Sequence, residues 1–387
     1  MHTLQPAYIV ATGSYLPGPS IDNEHMEAVL GLVAGKKSRY RKRILKSNGI
    51  ESRHYALGED GKPNVMSEEM AAFAIQDALA QGKYDVKDIQ MLAVGTSIQE
   101  ILVPGIASQV HGRLGERPME IMSCHGVCGA GAAAIKSAYL NVRCGEVQRA
   151  VAAAVERPSA VLRGNLFAQE SEIAPNKPGE NGEYAYFNAD FLRWMLSDGA
   201  GASVIQNTPH EHLPSLRIDW IEAQSYAHEL PVCMTLGTNK GGDIGIENTW
   251  NYELENPSMS KFLLRQDTRL LEEGIATAVA GVLVKALEER QLDVSKVDHF
   301  LPHISSYFFE DIYKKGLAEL GQPIADEKWF TNLKTKGNTG SASIFIMLDE
   351  ALRTNRFKHN DSILLMIPES GRFSATYIHL TCQYPSQ

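Results

Sequence analysis

The feature that most restricts this chain is a unit it uses twice: a turn of glycine and other small residues, a helical stretch, and short apolar runs. In the first copy, Gly126–Gly131 opens a helix to about Val142, the strand Arg149–Val155 follows, and SDGAGASVIQ supplies another. In the second, GNTGSAS (Gly337–Ser343) opens a helix through Leu352. The strand Ser362–Ile367, the turn ESG (Glu369–Gly371) and a last strand come after it. Ala7–Val10, Met91–Val94, Ala150–Val155, Ile363–Ile367 and Tyr377–Leu380 read as buried strands, and Met66–Gln81 and Thr268–Arg290 carry helical spacing. The alternation predicts an α/β fold. No Pro/Ser-rich linker interrupts it, so any domains must pack together. The expected division is residues 1–207 and 208–387. If these halves pack as a pseudo-symmetric pair, both turns aim helix N-termini at one centre.

Composition narrows the function. The 387 residues are 44% hydrophobic and 21% charged, which excludes a disordered or fibrous chain. A net charge of −9 disfavours nucleic acid and anionic membranes as general partners. Five cysteines at 124, 128, 144, 233 and 382 form no CxxC pair, against a disulfide framework or a structural zinc, and a reducing cytoplasm fits. The N-terminal stretch has no basic region ahead of an apolar one, and no run approaches the roughly 20 apolar residues of a membrane span. A soluble, cytoplasmic protein acting on small molecules or thioesters is expected. Gly164–Asp190 and Gly237–Ser260 are polar and long, the pattern of lids, binding loops or solvent loops.

Chemistry concentrates in three segments. In SCHGVCGAGAAAIKSAYLNVRCG (Ser123–Gly145), Cys128 falls where the helix begins, with Gly129, Ala130 and Gly131 clearing space around its sulfur. The helix dipole and unpaired backbone N–H groups there predict a favoured thiolate and an oxyanion site. The bland alternative is a small buried cysteine in a tight helix. Cys124 and His125 compete in sequence, but the helix-start position belongs to Cys128. In VDHFLPHISSYFF, His303 lies at the C-terminal edge of an apolar strand, where α/β sheets present ligand-facing groups, whereas His299 reads as a strand-start surface residue. In NLKTKGNTGSASIFIML, Asn338 stands at the mouth of the second helix, either as a cap or as an amide donor to a carbonyl. Together Cys128, His303 and Asn338 supply an acyl-accepting thiol and two donors for a thioester carbonyl.

VCGAG, LPHIS and KGNTGSAS, in that order and at these separations, resemble the thiolase superfamily, specifically its β-ketoacyl-acyl-carrier-protein synthase III branch. SNGIESRHY (Ser47–Tyr55) and SDGAGASV (Ser197–Val204) extend the resemblance over essentially the whole chain. It implies a five-layered αβαβα fold of two pseudo-duplicated halves, a homodimer, and phosphopantetheine-linked thioester substrates on acyl carrier protein or coenzyme A, with no metal or bound cofactor. It further implies that Cys128 takes the acyl group and that His303 and Asn338 hold the second thioester carbonyl. The backbone N–H groups of Cys128 and Gly371 would then form the oxyanion hole. Glu156, ending RAVAAAVE, matches a position where plant-type polyketide synthases also carry Glu; it is either a pocket base or a surface carboxylate.

The sequence also departs from the starter enzymes, which carry Pro-His-Gln-Ala-Asn where this chain has Pro302-His303-Ile304-Ser305-Ser306. DFLRWMLSDGAGA, WFTNLKTKGNTGSASI and IPESGRFSATYIHLT are similar to the ketosynthase III-like enzymes that form dialkylresorcinols. That likeness implies condensation of a β-ketoacyl thioester with a second, often α,β-unsaturated, acyl thioester and ring closure to a cyclohexanedione. The competing expectations are a starter synthase that decarboxylates malonyl-carrier protein, and a silent thiolase-fold partner subunit. Lys36, Lys37, Arg39, Arg41, Lys42, Arg43 and Lys46 form a basic cluster, either a carrier-protein docking surface or a solvated helix face.

Overall fold

The computed structural model describes residues 4–33, 35–167, 190–238, 244–252 and 259–385. Among these residues nine strands join in one sheet: β1 (Tyr8–Tyr15), β2 (Met91–Thr96), β3 (Glu120–His125), β4 (Arg149–Glu156), β5 (Gly199–Gln206), β6 (Ser215–Ser225), β7 (His299–Pro302), β8 (Ser362–Glu369) and β9 (Ser374–Gln383). The principal helices are α1 (Arg41–Asn48), α2 (Ser67–Gly82), α3 (Ile106–Leu114), α4 (Gly129–Cys144), α5 (Thr268–Glu289), α6 (Phe308–Glu319) and α7 (Ser343–Arg353). No helix among the described residues is long and apolar enough to cross a membrane.

The strand order is β7-β8-β9-β6-β1-β5-β4-β2-β3. Read from each half, it repeats. In the first, β2 and β4 are parallel, and β4–β5 and β5–β1 are antiparallel. In the second, β7 and β8 are parallel, and β8–β9 and β9–β6 are antiparallel. The faint duplication in sequence is therefore a duplication of topology, with β3 as an added edge on one side. The halves join where β1 pairs β6 through Tyr8–Arg217 and Ile9–Leu216. Such a short seam lets the sheet fold over on itself.

Five layers result. α2 and α3 cover the outer face of the first half, and α5 and α6 that of the second. α4 and α7 lie between, each packed against strands of both halves, in a core that includes Ala134, Ile135 and Ala138 of α4 and Phe345 and Leu348 of α7. The small residues of the two turns set how closely those helices approach. A Cβ built on Gly131 would fall 2.2 Å from the carbonyl oxygen of Ser341, so α4 and the second turn touch at backbone level. Gly340 adopts φ +53°, and a Cβ there would lie 2.9 Å from Cγ of Glu156. Only glycine meets both demands.

Most of the anticipated elements occur within a few residues of their expected ends. The second small-residue helix begins late: Gly340–Ala342 forms a 3-10 turn, and α7 starts at Ser343. β6 lacks the apolar run of a buried strand, because SLRIDWIEAQS mixes charged residues into a strand that has partner strands on both sides.

Candidate active site

Cys128 caps α4, with φ −59° and ψ −21°, at the end of the β3–α4 connection. It stands at a neck between two spaces. The larger is a cavity of about 350 Å³ lined by Cys128, Glu156 and Asn338, with apolar walls such as Leu192, Met195 and Leu264. The smaller, about 20 Å³, is lined by Cys128, His303, Phe309 and Tyr313. The structure thus gathers the three expected residues at spaces that share Cys128, Asn338 in the lining of the larger and His303 in that of the smaller.

Each is positioned by local chain geometry. His303 follows the last residue of β7, and its N–H donates to the carbonyl of Met366 on the parallel β8 at 2.8 Å. Its buried ring makes no hydrogen bond among the described residues, and burial lowers its pKa to about 4, so it is neutral at pH 7. Asn338 is strapped to the segment after Leu192: its N–H donates to Met195 O at 3.0 Å, and its carbonyl accepts from Ser197 N at 2.8 Å. The side-chain oxygen of Asn338 accepts from the N–H of Gly340 at 2.9 Å. With its oxygen so engaged, the amide of this cavity-lining residue has its NH₂ left to offer, the donor polarity expected for a carbonyl ligand.

Glu156 ends β4 and is buried on the wall of the larger cavity. One oxygen, Oε1, accepts four hydrogen bonds: Ser97 N at 3.0 Å and Oγ at 2.6 Å, and Ser341 N at 3.3 Å and Oγ at 2.5 Å. Desolvation outweighs these donors and raises its pKa to about 7. A carboxyl loaded at one oxygen and half-ionised near neutrality is suited to proton transfer. Ser97 and Ser341 were not legible as site residues, although Ser97 directly follows β2, just as His303 follows β7.

Two expectations need correction. Helix-start geometry at Cys128 is as anticipated, but burial, followed by the carboxylates of Glu156 and Glu369, pushes the thiol pKa up; its own backbone N–H opposes this only partly. The resting sulfur is a thiol, because loss of water outweighs the helix dipole. Gly371 does not present a free N–H: that group donates to the Glu369 carboxylate within its own turn, and Val127 crowds its α-carbon. A short carboxylate-accepting turn takes the donor that the motif assigned to an oxyanion.

The remaining candidates sort clearly. His299 bonds Asp361 at 2.8 Å and packs edge-on to Phe357, away from the cavity. Cys124 is half-buried on β3, while His125 does line the larger cavity. Ile304 is buried in the core, Ser305 lines both spaces, and Ser306 Oγ accepts from Phe308 N at the start of α6. The two polar insertions lie partly outside the described residues, but Thr238 and Ile244 of the second wall the cavity, beside Leu236 just before it. Asp198 of SDGAGASV fastens the loops around the site, accepting from Ala56 N at 2.6 Å and from Ser159 N at 2.9 Å.

Comparison with known proteins bears on the fold and the class of reaction. Residues 55–177 match the thiolase N-terminal domain, and residues 287–371 match the 3-oxoacyl-[acyl-carrier-protein] synthase III C-terminal domain. The chain belongs to the thiolase-fold, ketosynthase III-like family. It is 24% identical over 364 residues to a β-ketoacyl-[acyl-carrier-protein] synthase III of Clostridium perfringens, covering 94% of this chain and 95% of that one. Among solved structures, the 3-oxoacyl-(acyl carrier protein) synthase III of Pseudomonas aeruginosa superposes with TM-score 0.71 at 20% identity, covering 99% of this chain and all of the other. The priming β-ketosynthase of the R1128 polyketide pathway gives 0.75 at 19%, covering 100% and 99%. The ketosynthase described here is thus an enzyme, an acyltransferase of the carbon–carbon bond-forming kind.

Proposed function

We propose that this ketosynthase joins a β-ketoacyl thioester to a second, α,β-unsaturated acyl thioester and closes the product to a cyclohexanedione, the precursor of a dialkylresorcinol. The observation that carries this reading is Glu156, buried on the cavity wall with a pKa of about 7. A synthase that decarboxylates malonyl thioester generates its carbanion by losing CO₂ and needs no base at that carbon. A β-ketoacyl donor keeps all its carbons and must give up a proton.

In the first half-reaction Cys128 attacks the acyl thioester, the carrier thiol leaves, and the proton of Cys128 passes to it. In the second, the β-ketoacyl carbonyl sits on His303 and Asn338 while Glu156 removes a proton from C2. The carbanion displaces Cys128 from the acyl carbon, and the released thiolate is reprotonated from Glu156. Conjugate addition of the next methylene to the alkene closes the six-membered ring.

Each extender, malonyl or β-ketoacyl, offered with a matched enoyl thioester and followed by product mass, tests the reading. Product is expected from the β-ketoacyl donor without malonyl. Strict dependence on malonyl would reject the reading in favour of a starter synthase, the activity named for the Clostridium relative.

Two associations complete the proposal. Among the described residues strand β3 is a sheet edge paired with β2 alone, and it exposes Ile121 and Met122; Ile101, Leu102 and Val103 are exposed as well. An uncovered apolar strand edge of this kind is suited to pairing with a second copy. Sedimentation is expected to give a dimer that an Ile121→Lys change dissociates. Lys36, Lys37, Lys42, Arg43 and Lys46 are exposed and form the basic face offered to an acidic carrier protein or its phosphopantetheine. Arg41 stands apart from that face, paired with Glu24 at 2.9 Å and Glu27 at 3.5 Å.

A further inference from the structure

Three residues line both the larger cavity and the small pocket: Cys128, Ser305 and Ser370. The neck around the nucleophile is therefore walled by two hydroxyls that the steps above do not use. Ser305 has no hydrogen-bond partner among the described residues. Ser370 Oγ accepts from Nε2 of the buried Gln266 at 2.9 Å. A hydroxyl carries one proton, and the Gln266 bond occupies a lone pair, so the Ser370 O–H is left to donate. No acceptor for it occurs among the described residues. Its turn is firmly held: Glu369 takes the Gly371 N–H, and Phe373 adopts φ +60° with its side chain fully buried.

The chemistry that needs such donors follows from the substrate. Removing a proton from C2 of a β-ketoacyl thioester leaves an enolate whose charge is shared by two oxygens, that of the thioester and that of the ketone. His303 and Asn338 serve the first. In an apolar cavity, the second oxygen would be desolvated and unpaired unless a donor met it. We infer that Ser370, fixed as a donor by Gln266 and assisted by Ser305, binds the β-keto oxygen of the donor thioester and so selects β-oxygenated acyl groups. This rests on the β-ketoacyl reading of the site. The electron pair left on C2 delocalises onto both oxygens, and the proton resides on Glu156. Ser370 and Ser305 contact substrate, whereas Gln266 is a positioning residue that acts through Ser370.

The test is deuterium incorporation at C2 of β-ketooctanoyl pantetheine in D₂O, measured by mass spectrometry without a second acyl donor. Wild-type enzyme is expected to accelerate exchange. Ser370→Ala should slow it by about 10²–10³-fold, as for loss of one preorganised donor. Gln266→Leu should slow it in the same direction, and Ser370→Thr, which keeps the hydroxyl, should restore most of the rate. A merely structural role for Ser370 would not distinguish Thr from Ala in this way. Should Ser370→Ala fail to fold, the Gln266→Leu and Ser305→Ala enzymes carry the test, and wild-type exchange rates in both would overturn the inference. Wild-type exchange in a folded Ser370→Ala enzyme also overturns it and leaves the β-ketoacyl reading standing. Absence of exchange in a wild-type enzyme that still acylates Cys128 overturns that reading itself.

Discussion

Cys128→Ala is expected to gain no acyl mass from any thioester donor, whereas wild-type protein gains one acyl group per chain in intact-protein mass spectra. Condensation should fall to the solution background, a loss on the order of 10⁶-fold by comparison with other enzymes stripped of their nucleophile. The reason is positional: Cys128 is the sulfur at the neck between the two spaces, capping α4 and flanked by His303 and Asn338. Cys124 is half-buried on β3 and absent from the cavity lining, so it cannot substitute. His303→Ala should behave differently, acquiring the acyl mass but failing to condense, because in the proposed route its imidazole serves the second carbonyl. Loss of acylation in the His303 variant would reassign that imidazole to the first step. A wild-type enzyme that condenses without ever carrying acyl mass would remove the covalent route altogether.

Glu156→Gln should lower condensation about 10²–10⁴-fold, the usual contribution of a positioned general base. The sign of the pH dependence follows from the same group. Only the ionised carboxylate can take the C2 proton, and burial raises its pKa to about 7, so the condensation rate should climb with pH and level off above about 7. The amide variant loses that limb. His303 cannot produce it, since its pKa of about 4 leaves it neutral throughout the range. A pH profile at saturating β-ketoacyl donor, measured on both proteins, checks the assignment. An unchanged limb in the Gln variant would move the base elsewhere. The carboxamide should be accommodated in the fold, because its oxygen can keep the bonds from Ser97 and Ser341.

Much of the arrangement was readable in the chain. The two small-residue turns, the helices they open and the strands around them are products of local backbone physics: glycine where φ is positive or backbones touch, and apolar runs where strands are buried. For the same reason Cys128, His303 and Asn338 could be named, each standing beside a strand end or helix start that its own neighbours determine. Glu156 could be named but not oriented. Its two hydroxyl partners come from Ser97 and from Ser341, 185 residues away, and no local pattern encodes that meeting.

What the sequence determined alone was the alternating architecture and the order of the chemistry-bearing turns, since these depend on neighbours within a few positions. Tertiary structure decided whether each group is charged and which donors remain free. Burial keeps Cys128 a thiol and poises Glu156, the Glu369 carboxylate occupies Gly371, and Gln266 leaves the Ser370 proton unspent. Protonation and hydrogen-bond polarity depend on desolvation and on partners brought from distant parts of the chain, so they come into being only when the halves close on each other.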